Sequence, residues 1–275
     1  EGEELGVFVI PMPFTINDEE YLEEISISQE KFYEFLAQDA DVTTSQPSRI
    51  YLEELWTDLL KEYDELVYIP MTSGLSATCG NASAYAEAFG GKVQVVDNLR
   101  ISVTQKQSVM EAVELARQGK SAKEIKEFLE NTKDKASIYI MVDTMKYLKK
   151  GGRVTGAAAA LGAMLKLKPI LYTRGQSFEK YGVVMTLAQA KKKMIAQIKK
   201  ELETEFKAEY EAGKMILYIA HTQNYKEALK FKDEVLKEIQ NVEVRFVDQL
   251  SLSVSCHIGP GALALAMAID NFSGK

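Results

Sequence analysis

Residues 253–269 read SVSCHIGPGALALAMAI. LSVSC (252–256) reads as a strand that runs into His257. The Gly259-Pro260-Gly261 triplet then lets the backbone turn tightly, and an apolar helix is expected beyond it. Such a turn aims the imidazole at a crevice past the strand end, which is where α/β proteins place ligands. A structural histidine, satisfied by its own neighbours, is the alternative.

Outward from this stretch, short β-rich apolar runs alternate with amphipathic helical ones. Strands are expected at VFVIPM (7–12), LVYIPM (66–71), KVQVVD (92–97), SIYIMVD (137–143), LKPILYT (167–173), KMILYIA (214–220) and VEVRFVD (242–248). Helices are expected over 28–37 with Ser28 as N-cap, over 47–63, 76–89, 101–118, 122–131, 187–211 and 223–239. Ser121 and Glu124 have capping-box spacing. TMKYLKK is expected to stop at Gly151-Gly152, where glycine permits a left-handed cap. In helix 47–63 the stripe Tyr51, Leu52, Leu55, Leu59 and Leu60 is the expected buried face. The alternation of strand and helix defines the fold class as α/β. The polar run NTKDKAS marks a boundary near residue 135, so two α/β domains are expected, 1–135 and 136–275.

The chain has 275 residues, 46% of them hydrophobic, which supplies a core and excludes a disordered chain. Its net charge is −7, and a nucleic-acid partner would call for a basic face instead. Two cysteines (Cys79, Cys256) and two histidines (His221, His257) show no metal-ligand spacing. A reducing, cytoplasmic setting is expected, with no signal peptide and no integral membrane segment. The longest apolar stretch, from Gly156, is interrupted by Lys166 and Lys168. No nucleotide-binding glycine motif and no G-x-S-x-G elbow occur, so no cofactor is expected.

Two hydroxyl-rich turns stand out, DVTTSQPS (41–48) and TSGLSAT (72–78). The second follows a strand and puts Ser76 near a helix N-terminus, where unsatisfied N–H groups favour an anion. Thr43, Thr44 and Ser45 precede Pro47, read as a first-turn proline, so the same reasoning applies there. Plain N-capping would explain either turn without a ligand.

The ordered series TTSQPS, TSGLSAT, VVDN, VDTMKYLKKGGRVTGAAAALGAMLKLKPIL and HIGPGA resembles the DegV family of bacterial fatty-acid-binding proteins, from about Pro11 to about Ala268. The resemblance implies two α/β domains with one fatty acid bound between them. It implies a carboxylate held by Thr44, Ser76 and His257, and a head-group or partner contact at Arg153. It also implies a carrier role in phospholipid metabolism: the chain would present the carboxylate of a long-chain fatty acid to a separate ATP-dependent fatty acid kinase subunit, without being an enzyme itself. A hydrolase or transferase using His257 as base is the alternative. Three departures are visible. EGEELGVFVIP looks like the segment after the family's opening strand and D-S-[TS] turn. Met185 stands about where the family has an arginine, leaving Arg153 or Arg174 to supply that charge. ISVTQKQSV is more polar than the corresponding helix start.

Overall fold

The computed structural model describes residues 2–161 and 167–272. The chain is α/β throughout and divides into two compact units. Residues 1–101 and 105–134 form the first, and residues 102–104 and 135–275 the second.

The first unit holds, in chain order, α1 (Gly2–Leu5), β1 (Pro13–Ile16), β2 (Glu19–Leu22), α2 (Gln29–Ala37), β3 (Val42–Thr44), α3 (Arg49–Leu59), β4 (Leu66–Tyr68), α4 (Thr78–Ala86), β5 (Val93–Val95), α5 (Val103–Arg117) and α6 (Ala122–Glu130). Strands β2-β1-β3 make a small antiparallel sheet, and β4 pairs with β5 in parallel. The small sheet packs on α2 through Phe14, which meets Phe32 edge to face at 5.7 Å between ring centroids. α2 starts where Ser28 accepts a hydrogen bond from the Lys31 N–H. α6 starts in the Ser121/Glu124 capping box. Leu52 and Trp56, four residues apart on α3, pack with Cys79, Ala82, Val93 and Val95.

The second unit holds β6 (Ala136–Met141), α7 (Lys146–Gly151), α8 (Gly156–Ala159), β7 (Lys168–Thr173), β8 (Glu179–Val184), α9 (Leu187–Glu203), α10 (Lys207–Glu211), β9 (Met215–His221), α11 (Tyr225–Glu238), β10 (Val244–Gln249), α12 (Leu252–Ile258) and β11 (Leu263–Ile269). Its sheet runs β10-β9-β11-β6-β7-β8, parallel between β9 and β10 and antiparallel elsewhere. Leu263, Leu265, Met267 and Ile269 share a core with Met194 and Ile198 of α9 and Phe231 of α11.

Several elements differ from the sequence reading. The opening stretch inverts: 252–258 is the helix α12, and the apolar run after Gly261 is the strand β11. β11 is paired on both edges, by β9 and β6, and all seven of its residues are buried, so it needs no polar face. VFVIPM (7–12) forms no strand; Phe8 and Val9 are 59% and 73% exposed, and strand structure begins only at Pro13. The helix read over 187–211 breaks at Thr204. There the Phe206 N–H turns back to the Glu201 carbonyl (2.9 Å) and the Phe206 ring enters the core. β8 was not read from the sequence at all. Tyr51, placed on the buried stripe of α3, is exposed, and Trp56 takes the core position instead. The stretch from Gly156 to Lys166 is described only as far as Leu161, and Lys166 lies outside the described residues.

Candidate functional site

In the first unit, the residues of the 41–48 turn have separate tasks. Thr43 and Thr44 lie on β3 and not at a helix start, because α3 begins after Pro47. Its N-cap is Ser48, whose Oγ accepts from the Tyr51 N–H at 3.2 Å. The Thr43 hydroxyl shares a 2.6 Å hydrogen bond with Thr15 on the neighbouring strand. Thr44 points to the opposite face, since successive strand side chains alternate. Gln46 Oε1 accepts from Asn81 Nδ2 of α4 at 2.9 Å, which ties this turn to the helix that follows the second one.

The second turn is built from its own hydroxyls. The Thr72 carbonyl accepts from the N–H groups of Leu75 and Ser76 (both 3.2 Å), and Thr72 Oγ1 accepts from Gly74 N–H (3.2 Å). Ser76 Oγ accepts from Thr78 N–H at 3.2 Å and shares a 2.8 Å bond with Thr78 Oγ1. Ser76 is half-buried, and its hydroxyl thus stands at the head of α4 with one neighbour fixing its rotamer.

In the second unit His257 sits in the last turn of α12. Two segments place it by running antiparallel in contact. A β-carbon on Gly261 would lie 2.4 Å from Asp143 Oδ2, one on Gly259 2.3 Å from Tyr147 Cδ2, and one on Gly151 2.2 Å from His257 Nδ1. Tyr147 and Gly151, four apart on α7, fall on one helical face, and Asp143 lies in the loop that leads into it. Positions 257, 259 and 261 meet these three in reverse order. Thr222, just after β9, staples the same turn. Its Oγ1 donates to the Gly259 carbonyl (2.7 Å) and accepts from Ala262 N–H (2.9 Å). Gly151 and Gly152 divide the work of the G-G pair: Gly152 is the left-handed cap of α7 (φ 66°), and Gly151 makes room for the imidazole.

The Arg153 side chain donates to the Gly151 carbonyl, which brings its guanidinium into the same cluster. Burial first, and then the Arg153 charge, push His257 down from 6.5 to about 4. A helix C-terminus favours the imidazolium, but these two effects outweigh it. The ring is therefore neutral at pH 7, with one N–H donor and one acceptor nitrogen. His221 is also pushed down, mainly by burial, with Asp248 opposing. Arg174, just after β7, is paired with Glu205 and Glu201. Met185 is 70% exposed at the turn before α9.

An apolar cavity of about 510 Å³ lies within the first unit, between α3, α5 and the 6–12 segment. All six residues from Leu66 to Met71, β4 and the segment after it, line it. Among the described residues β5 is the strand neighbour of β4. No group of three or more His, Cys, Asp or Glu side chains placed to hold a metal ion occurs among the described residues, and no described helix is long and apolar enough to cross a membrane.

The chain is thus an α/β protein with a hydroxyl cluster in its first unit and, in its second, a neutral imidazole beside a guanidinium. The chain belongs to the DegV family, whose model matches residues 1–270. Protein DegV of Bacillus subtilis is 31% identical over 271 residues, spanning 96% of this chain and 92% of that protein. A DegV domain-containing protein of Deinococcus radiodurans is 29% identical over 268 residues, 96% of this chain and 91% of its own length. Among solved structures, a fatty-acid-binding DegV family protein of Thermus thermophilus superposes with a TM-score of 0.87 at 26% identity, covering 98% of this chain and 94% of that one. The fatty acid binding protein DegV of B. subtilis does so at 0.82 and 28%, with the same coverage.

The reading from sequence missed three residues at these clusters: Thr78 beside Ser76, Asn81 bridging to Gln46, and Gly151 behind His257. Thr78 had a signal as the last hydroxyl of TSGLSAT, and so had Gly151. A glycine pair at a helix end is one more than a cap requires.

Proposed function

We propose that this chain binds one long-chain fatty acid, whose carboxylate accepts hydrogen bonds from Thr44, Ser76 and His257. The observation that carries the reading is His257: a neutral imidazole backed by Gly151 and lying beside the Arg153 guanidinium. A neutral donor next to a cation suits a carboxylate. A ring titrating near 4 is a weak base at pH 7, which argues against the alternative of hydrolase or transferase chemistry at His257. Support also comes from the two relatives of known structure that bind fatty acids, at 26% and 28% identity.

Each charge-assisted hydrogen bond contributes about 1.5–3 kcal/mol, and each buried CH₂ of the tail about 0.8 kcal/mol. Over a long chain the tail dominates affinity, while the hydroxyls and His257 set the preference for a free acid over an ester. Organic extraction of the purified protein with mass spectrometry tests this. One fatty acid per chain is expected. No extractable lipid, together with no micromolar binding of added palmitate or oleate, refutes it.

The finer part of the proposal is a cytoplasmic carrier role, with the bound carboxylate presented to an ATP-dependent kinase subunit. It rests on the motif series that carries Thr44, Ser76, Arg153 and His257. Acyl phosphate formation with a fatty acid kinase subunit and ATP tests it. Met185→Arg is expected to raise the rate by restoring a cation near the head group. No acyl phosphate with the loaded chain refutes the carrier role.

A further inference from the structure

The Ser76 turn does not hold its own position. The Thr72 N–H donates to the Arg100 carbonyl at 2.9 Å, and the Ser73 N–H to Asp97 Oδ1 at 3.2 Å. Both acceptors belong to residues 97–100, the loop after β5. That loop is strained: Leu99 has φ 57°, a left-handed conformation that costs a non-glycine residue energy unless its surroundings enforce it.

Next to Leu99, the Arg100 side chain is anchored deep in the unit. Arg100 is 1% exposed, one of the largest fully buried side chains in the chain. Its guanidinium donates to Ser108 Oγ (3.1 Å), pairs with Glu111 (3.3 Å) and reaches Thr132 Oγ1 (3.4 Å). Asn98 Nδ2 donates to the same Ser108 oxygen at 2.6 Å, and the Asp97 N–H to Glu130 Oε1 at 2.9 Å. A buried ion pair is a weak source of stability, because desolvation offsets the attraction; its best-attested use is to specify one geometry. Here α5 and α6 grip the loop from which the hydroxyl turn hangs.

We propose that Arg100, clamped by Glu111 and Ser108, is a positioning residue that sets the Ser76 hydroxyl for its ligand. This rests on the reading of Ser76 as a carboxylate donor. It makes a polar buried face on α5 part of the head-group machinery and gives the polar stretch 101–109 a purpose.

The test measures dissociation constants for palmitate and for methyl palmitate, alongside thermal unfolding. The ester keeps the tail and removes the anion, so the ratio of the two constants isolates the head group. Arg100→Lys keeps the charge but loses the planar fork. It is expected to weaken palmitate binding about tenfold, the size of one such hydrogen bond, while methyl palmitate changes less than about twofold. In a Ser76→Ala background the same substitution is expected to cost palmitate nothing further, since both act through one hydroxyl. Equal losses for acid and ester, or a full additional loss in the Ser76→Ala background, would overturn the proposal. If Ser76→Ala itself leaves the acid-to-ester ratio unchanged, the carboxylate reading of Ser76 falls, and the positioning role with it. If only Ser76→Ala changes the ratio, the positioning role falls alone. Should Arg100→Lys not fold, the charge-free pair Arg100→Met with Glu111→Leu is read the same way. An acid-to-ester ratio like that of the natural chain would overturn the proposal.

Discussion

Gly151→Ala makes the sharpest test of how His257 is placed. Gly151 ends α7 with ordinary helical backbone, and alanine is the better helix former there by about 0.5–1 kcal/mol. The substitution is therefore neutral or favourable for α7 itself. Its cost falls on the imidazole. The new β-carbon would lie 2.2 Å from Nδ1, 3.0 Å from Cε1 and 3.1 Å from Cγ of His257. Non-bonded heavy atoms settle at about 3.5–4.0 Å, so the ring must withdraw by more than an ångström. Hydrogen bonds of the relevant kind span only about 2.7–3.2 Å, so a displacement of that size breaks one. The expected loss is about 1.5–3 kcal/mol of carboxylate binding, roughly 10- to 150-fold in the dissociation constant. Titration calorimetry with palmitate measures it, and thermal unfolding of the unliganded variant serves as control. The loss should disappear in a His257→Ala background, where the added methyl meets no ring. Unchanged palmitate affinity in Gly151→Ala would refute the placement. A loss that persists without the imidazole would show that the glycine acts through something else.

Three further outcomes follow from the same geometry. His257 titrates near 4 in the folded chain against 6.5 for the free group, so the unfolded chain binds more protons between those values. The stability contributed by its neutral form is complete above about pH 6.5 and is lost as pH falls toward 4. His257→Asn should flatten denaturation midpoints across that window, and an unchanged slope would contradict the assignment. Cys79 is buried and its thiol is pushed up to about 11, chiefly by burial and then by Asp97 and Glu130. It should resist maleimide at pH 7 in the folded chain and react once denatured, as peptide mass mapping would show; rapid labelling of the native chain would count against it. Leu265→Ala, on the fully buried β11, should cost about 2–5 kcal/mol by urea denaturation, and a loss under 1 kcal/mol would mean that the core collapses around the gap.

Much of this molecule was legible one segment at a time. Ser28, the Ser121/Glu124 box and the Gly152 cap each mark a helix end through contacts spanning three or four residues, and such contacts are written locally. β6, β7 and β9 announce themselves as apolar runs of strand length. The α/β class and the candidates Thr44, Ser76, Arg153 and His257 also came from local pattern and motif order. Thr44, read at a helix start, lies instead on β3, one residue from a cross-strand threonine pair.

The rest depended on neighbours that the local sequence does not name. LALAMAI alternates large with small, a two-residue period, yet alanine hides it because alanine is equally at home in a helix. Tertiary packing decides the matter: β9 and β6 pair its two edges, and a strand buried on both faces is stable without a polar side. VFVIPM has the composition of a strand, but pairing requires a partner, and among the described residues it has none. SLSVSC follows β10 and forms a helix that packs on α7, placing His257 against Gly151. The closeness of Gly151 to His257, more than a hundred residues apart, and the neutrality of that histidine are likewise properties of packing. Secondary structure can be written in short-range hydrogen bonds and periodicity; which faces meet, and what charge a side chain carries there, is settled only when distant segments exclude water together.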